Sequence, residues 1–396
     1  MHDVNGKAGN MNGENHSWRG RAFLIASGGT LLGAAGAGFV GAFNLLGIAV
    51  ICTVALLALA AANSRFSALA FTIWVFAFAA AALFFPGAAT RWGTFEYKTL
   101  IVPLIQIIML GMGITLSWED FARIIRMPRG VLLGIALQFF VMPLGGYACA
   151  WLFGLQGEIA VGLILIGSCA GGVASNVICY IAGANVAMSV TMTACSTLMS
   201  PLLTPLAMKL LAGQFVPIET WPMVLSIFTM IVIPVLVGIA INRFAHGLAR
   251  RMERVLPIVS MLGVCIIIAV TIGLSRDELL VVGLALFGAA ACHNALGFAL
   301  GYYGARFVGL NESEARTVSI EVGMQNGGMA TGLALNVLHS ELAALASAVF
   351  GPWSAVAGSA LASWWKRSVP EVTPGNIRLG SDHSNESEAA TVSSPL

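Results

Sequence analysis

Glu321 is the only carboxylate well inside an apolar run of membrane length, in Ser319-Ile320-Glu321-Val322-Gly323-Met324-Gln325-Asn326-Gly327-Gly328. An ionisable side chain at bilayer depth is costly and marks a functional site by default. The glycines beyond it interrupt the helix expected there, and an interrupted helix frees backbone carbonyls that bind cations. A second interruption, at Gly171-Gly172, is followed by Ser175 and Asn176. Glu321 and Gln325 are four apart, so a helical stretch puts both on one face, and the same holds for Ser189 and Thr193 on the next helix. Gln138 lies in mid-span, and its counterpart 156 residues on is Asn294, beside His293. Carboxylate, amide, hydroxyl and carbonyl oxygens are the donors that hard cations such as sodium take. A cation also lets Glu321 stay ionised at that depth. The combination points to ion-coupled transport.

Plainer readings stand beside this one. Membrane Ser and Thr commonly bond their own backbone, and a mid-span Gln or His293 can serve helix packing. Glu119, Asp120, Asp277 and Glu278 fall at helix ends and read as solvated caps. Gly167-Ser168-Cys169-Ala170-Gly171, with His293 as base, imitates a nucleophile motif. It lacks the strand-turn-helix setting of a nucleophile elbow, so no enzyme is expected.

The elements that must position these groups are membrane helices. The 396 residues are 58% hydrophobic and 10% Asp, Glu, Lys and Arg, against roughly 25% charged residues in soluble domains. Apolar stretches recur at about the 20 residues that span a bilayer. A net charge of +2 without a basic cluster outside loops gives no sign of nucleic acid. The seven cysteines are scattered without metal or disulfide spacing and read as small buried apolar residues. Trp and Tyr at span edges fit interfacial belts.

Ten spans are expected: 69–86, 99–116, 130–152, 159–182 (broken), 188–212, 221–242, 256–274, 279–304, 314–337 (broken) and 342–365. Segments 1–20 and 368–396 read as disordered tails. The block 21–63 reads as an extra hydrophobic hairpin of two short helices, one long tilted helix being the alternative. Counting basic residues, one side holds twelve (Arg65, Arg123, Arg126, Arg129, Arg243, Arg250, Arg251, Arg254, Arg306, Arg316, Lys366, Arg367) and the other four (Arg91, Lys98, Lys209, Arg276). The positive-inside rule then places the twelve, and both termini, in the cytoplasm of an inner or plasma membrane. The hairpin follows from Lys7, Arg19 and Arg21, which need an even number of crossings before the ten.

The halves repeat. Gly171-Gly172-Val173-Ala174-Ser175 matches Gly327-Gly328-Met329-Ala330-Thr331, Leu116 to Phe121 matches Leu274 to Leu279, and Met109-Leu110-Gly111 matches Met261-Leu262-Gly263, at offsets of 156, 158 and 152. Two five-span units, 64–215 and 216–367, are implied. Five being odd, the second is inverted, an arrangement of secondary transporters in which broken helices meet at a midplane site. Small-residue packing is the competing account of the glycine pairs.

Five stretches resemble the bile acid:sodium symporter family, in its bacterial branch: Met109 to Phe121, Gln138 to Pro143, Gly171 to Tyr180, Asn185 to Pro205 and Glu321 to Gly328. The likeness covers about 69–365 and leaves the 21–63 block outside. It implies an all-α membrane protein with a ten-helix core, divided into a panel and a core domain with two crossing discontinuous helices. It also implies two sodium ions. One would be held by Ser175, Asn176, Ser189, Thr193 and Glu321, the other by Gln138, Glu321, Gln325 and the carbonyls of Val322 and Met324. Asn326 would face the substrate, together with Val173, which stands where some relatives carry a hydroxyl, and Asn294. The expected activity is sodium-driven import of an organic anion, a small carboxylate or a bile-acid-like compound. The alternative is a proton-coupled or antiporting carrier of the same fold, such as a metalloid or organic-acid exporter; in the metalloid case Cys169 or Cys179 would meet a soft substrate. The bilayer and the anion are the partners implied; the oligomeric state and the anion's identity are left open.

Overall fold

The computed structural model describes residues 43–62, 67–122 and 127–367. The tails, the first half of the 21–63 block, and Lys7, Arg19, Arg21, Arg65, Arg123 and Arg126 lie outside the described residues. Among those described, the regular elements are helices apart from one small hairpin, β1 (Arg91–Trp92) antiparallel to β2 (Phe95–Glu96). In chain order the main helices are α1 (Phe43–Ala62), α2 (Ser67–Phe84), α3 (Tyr97–Thr115), α4 (Pro128–Leu152), α5 (Gly157–Ser168), α6 (Ala174–Ile181) and α7 (Val186–Leu211). Then follow α8 (Thr220–Phe244), α9 (His246–Leu274), α10 (Arg276–Phe307), α11 (Glu312–Gly323), α12 (Gly327–Asn336) and α13 (Glu341–Arg367).

Helices prevail because hydrocarbon offers no partner for a free backbone N–H or C=O. Seven, namely α3, α4, α7, α8, α9, α10 and α13, are long and apolar enough to cross a membrane. The chain is a multi-span membrane protein. The expected spans 159–182 and 314–337 each consist of two helices with a break between them, α5 with α6 and α11 with α12. Leu280, Val281, Leu284 and Phe287 are exposed on α10, whereas Glu321, Gln138, Asn294 and His293 are buried. Apolar side chains outward and polar ones inward is the pattern that lipid as solvent selects.

Two helices extend past their apolar runs. α9 begins at His246 rather than near 256, so Arg250, Arg251 and Arg254 ride on helix; Arg, Met and Leu are good helix formers and need no lipid. α10 begins at Arg276, with Asp277 and Glu278 in its first turn, where the helix dipole favours carboxylates.

α4 and α8 each contain one π turn, Leu137–Val141 and Phe228–Val232. Proline stands two residues beyond both, at Pro143 and Pro234. Proline has no N–H, and its ring crowds the carbonyl four residues back. One widened turn absorbs the conflict, with Met142 N–H bonded to the Leu137 carbonyl and Ile233 N–H to that of Phe228. Gln138 sits on the first of these turns and is buried, and such turns are frequent at functional sites.

The helices fall into two packed sets. α3 packs on α8 and α9, and α9 also on α2, which in turn pairs with α1. α4 packs on α5 and α10, α10 on α11, and α13 on α5, α10 and α12. The breaks of α5/α6 and α11/α12 lie within the second set.

Candidate ion and substrate site

The two breaks meet. Between α5 and α6 the chain runs through Cys169–Val173; between α11 and α12, Met324 is extended (φ −106°, ψ 107°) and Asn326 caps the next helix. Gly171 and Gln325 form an antiparallel bridge. Gly172 N–H donates to the Met324 carbonyl at 2.8 Å, and Asn326 N–H to that of Ala170 at 3.0 Å. Backbone groups released by one interruption are therefore partly satisfied by the other, as burial away from water requires. The approach leaves no room for side chains: a Cβ on Gly172 would lie 2.8 Å from the Gln325 carbonyl oxygen, and one on Gly171 2.9 Å from Glu321 Oε2.

Glu321, at the end of α11, is 3% exposed. Its Oε1 accepts from Ser175 Oγ at 2.5 Å and from Ser189 Oγ, and its Oε2 from Thr193 Oγ1 at 2.8 Å. Ser189 Oγ also reaches Asn176 Oδ1 at 2.7 Å. Residues drawn from α6, α7 and α11 thus converge on one carboxylate. The donor set is oxygen throughout, and no basic side chain contacts Glu321 among the described residues. Such a cluster suits a hard monovalent cation.

The second group lies on the other side of Glu321. Gln138 Nε2 donates to the Cys169 carbonyl at 2.6 Å and to Gln325 Oε1, while Gln325 Nε2 donates to the Val322 carbonyl at 2.8 Å. The Met324 carbonyl takes the Gly172 N–H. A small cavity of about 10 Å³ opens between Gln138, Gly171, Ser196 and Glu321, with Gly134, Ile135 and Met192 around it. That is close to the volume one water-sized species needs. Ser196 was not singled out from the sequence, although it stands three residues after Thr193 on the same face of α7 and accepts from Gly171 N–H at 3.4 Å. A step of three rather than four from Thr193 along the Ser189–Thr193 face reaches it.

A larger cavity of about 150 Å³ lies where the breaks face α2, α3 and α9. Val173 and Asn326 line it, along with Gln325, Thr331, Ser347 and Ser354 on one wall and Ile105, Ile108, Ile267 and Ile268 opposite. Asn326 Oδ1 accepts from Met329 N–H at 3.0 Å as the cap of α12. Both α6 and α12 begin at this cavity. No cysteine lines it, Cys169 and Cys179 being buried elsewhere.

Asn294 is placed differently from the expectation. Its Nδ2 donates to the Gly323 carbonyl at 2.8 Å, and it does not line the cavity. The repeat pointed to its depth, but not to the side of the helix it occupies; here it supports the end of α11. Asn294→Ala should leave that carbonyl unpaired, at a cost of about 1–3 kcal/mol. Thermal melts of the detergent-solubilised variant should show the loss, with the substrate KM within about twofold of wild type by the same reasoning. A folded variant with a KM raised tenfold or more would return Asn294 to the substrate.

His293 Nε2 donates to the Met142 carbonyl at 2.9 Å, and Ser168 Oγ to its own helix at Ile164, 2.8 Å away. No bond joins the two, so the nucleophile reading has no geometry to support it.

The family model for the sodium bile acid symporter family matches residues 102–282. An uncharacterized sodium-dependent transporter of Bacillus subtilis, YocS, is 36% identical over 314 residues, covering 79% of this chain and 96% of its own. The chain belongs to the sodium bile acid symporter family. The chain also resembles a probable chloroplastic sodium/metabolite cotransporter of rice, 36% identical over 307 residues (76% of this chain, 73% of the relative). The ileal sodium/bile acid cotransporter of the rabbit Oryctolagus cuniculus is 29% identical over 235 residues (58% and 67%).

Proposed function

We propose that this protein is a sodium-coupled symporter that imports a small organic anion by alternating access. The observation that carries the proposal is the convergence of Ser175, Ser189 and Thr193 on Glu321 where the two breaks pair. The first sodium takes the place of the hydroxyl hydrogen bonds at Glu321, with Ser175, Asn176, Ser189 and Thr193 turning their oxygens toward it and the hydroxyls keeping their protons. The second takes Gln138, Gln325, Glu321 and the carbonyls of Val322 and Met324; rotating the two amides presents oxygen where nitrogen now donates. One carboxylate serves both ions, and each ion offsets the cost of burying its charge.

The anion then binds beside Asn326 and Val173. The starts of α6 and α12 offer positive dipole ends to a carboxylate, as half-helices do in other transporters. A cavity of about 150 Å³ is well below the roughly 300–1,000 Å³ of sites for drug-sized ligands, which favours a small carboxylate over a bile acid. The relatives' names, sodium-dependent transporter and sodium/metabolite cotransporter, support the coupling ion.

The architecture we assign is a ten-helix core of two inverted repeats, 64–215 and 216–367, behind an extra N-terminal block and with both termini cytoplasmic. α2, α3, α8 and α9 form the panel against which the remaining helices move. Two sodium ions per monovalent anion carry one net positive charge inward, worth about 2.3 kcal/mol per 100 mV.

Uptake of a small carboxylate into proteoliposomes tests this. An inward sodium gradient should drive accumulation, and an inside-negative potential should raise it further. Equal uptake with sodium and with choline would defeat the coupling, and accumulation driven by a pH gradient alone would favour the proton-coupled carrier.

A further inference from the structure

One turn before Glu321, α11 makes a second set of contacts that the ion site does not use. Arg316 is buried at 7% exposure. Its Nε donates to Glu312 Oε1 at 2.9 Å, and its Nη1 to the Ala182 carbonyl at 3.2 Å and the Trp365 carbonyl at 3.4 Å. The guanidinium carbon also lies 5.6 Å from the centre of the Trp365 ring. Glu312 Oε2 accepts from Tyr302 at 2.8 Å. Burial pushes the Glu312 carboxyl upward, but the Tyr302 hydroxyl and the Arg316 guanidinium outweigh it and hold the group below its usual range. The start of α11 is thereby tied to the end of α6, to α10 and to the end of α13.

Thr317, fully buried, is tied to the next helix. Its hydroxyl accepts from Asn185 N–H at 2.8 Å and donates to the carbonyl of Ser313 (2.9 Å) or Asn185 (3.3 Å). Asn185 is the cap of α7: its Oδ1 accepts from Met188 N–H at 3.0 Å, and its carbonyl takes the Ser189 N–H at 3.0 Å. Thr317 and Glu321 are four apart and share a face of α11. One turn of helix, about 5.4 Å, separates them, too far for Thr317 to touch an ion held at Glu321.

We infer that Thr317 and Arg316 are positioning residues for the sodium site, fixing the carboxylate of α11 against the hydroxyls of α6 and α7. Ser175 and Asn176 sit on α6, whose end Arg316 holds. Ser189 and Thr193 sit on α7, whose cap Thr317 holds. The site is drawn from three separate helices, so its oxygen–oxygen spacing depends on their relative placement, and displacements of about 1 Å are enough to undo such a constellation. Arg316 suits the task because a planar guanidinium serves several acceptors at once, which the point charge of a lysine does not. The inference rests on the proposed sodium coupling.

Sodium titrations of full-length purified protein, read by thermal stabilisation with choline keeping ionic strength constant, test it. Thr317→Val keeps the shape and removes the hydroxyl. It should raise the half-saturating sodium concentration about tenfold or more, a shift set by equilibrium linkage, while Thr317→Ser should return to within about threefold of wild type. Arg316→Lys should move it in the same direction, and reads the same quantity should Thr317→Val fail to fold. Folded Thr317→Val or Arg316→Lys protein that binds sodium as wild type does, even with a lower melting temperature, would reduce these residues to packing and overturn the inference. A wild-type protein that sodium does not stabilise would instead overturn the coupling beneath it.

Discussion

Glu321→Ala is expected to fold and to lose sodium-driven uptake by at least about 100-fold. Removing one partner of a buried charge interaction costs about 3–5 kcal/mol, and each 1.4 kcal/mol is tenfold in affinity. Folding should survive because each hydroxyl around the carboxylate has a second acceptor in place. Ser175 Oγ reaches the Gly172 carbonyl at 2.7 Å, Thr193 Oγ1 that of Ser189 at 3.1 Å, and Ser189 Oγ the Asn176 amide oxygen at 2.7 Å. No buried hydroxyl is stranded, so the loss falls on the ion. Uptake measured beside a size-exclusion profile separates the two effects. Glu321→Gln keeps the volume and loses the charge, and should behave alike. A Glu321→Gln protein still stabilised by sodium at wild-type concentrations would remove Glu321 from the shared role.

Gly172→Ala is expected to cut uptake at least about tenfold and to lower thermal stability, the overpacking costing about 1–3 kcal/mol. The atoms it would strike are backbone: the Gln325 carbonyl oxygen at 2.8 Å, its carbon at 3.2 Å and the Met324 oxygen at 3.5 Å. No rotamer change relieves that contact, so the two breaks must separate. Their separation lengthens the Gly172–Met324 and Asn326–Ala170 bonds that join them, and with them both oxygen groups. Gly87→Ala is the control, since among the described residues nothing lies within 4 Å of a Cβ there, and it should transport as wild type. Equal activity of the two variants would mean that close pairing of the breaks is not needed for transport.

Much of the site was legible because its ingredients are costly. A carboxylate in an apolar run, amides and hydroxyls at helical spacing beside paired glycines, and a Gln in mid-span are each hard to explain as packing alone, and the structure brings Glu321, Ser175, Ser189, Thr193, Asn176, Gln138 and Gln325 together. Ser196 escaped because a serine one turn further along α7 looks like any other membrane serine. Asn294, expected beside the substrate, bonds the Gly323 carbonyl instead, and a sequence carries no information on which neighbour a side chain meets. The π turns at Pro143 and Pro234 have a local cause, and the consequence of the first, a buried Gln138 bonded to both breaks, depends on α5 being beside α4.

Local chemistry along the chain was enough to determine that this protein is helical, membrane-spanning and interrupted at two places, since hydrocarbon penalises free backbone and buried charge residue by residue. Which interruptions touch, and in what register, was decided only by the tertiary structure. Ser175 and Glu321 are 146 residues apart, and Thr317 and Asn185 are 132 apart. A bond across such a distance exists only once the helices between have packed, because no local preference acts over that length. The role of Arg316 belongs to the same class: charge placed it at a membrane face, and only packing showed it buried, stacked on Trp365 and holding three helix ends together.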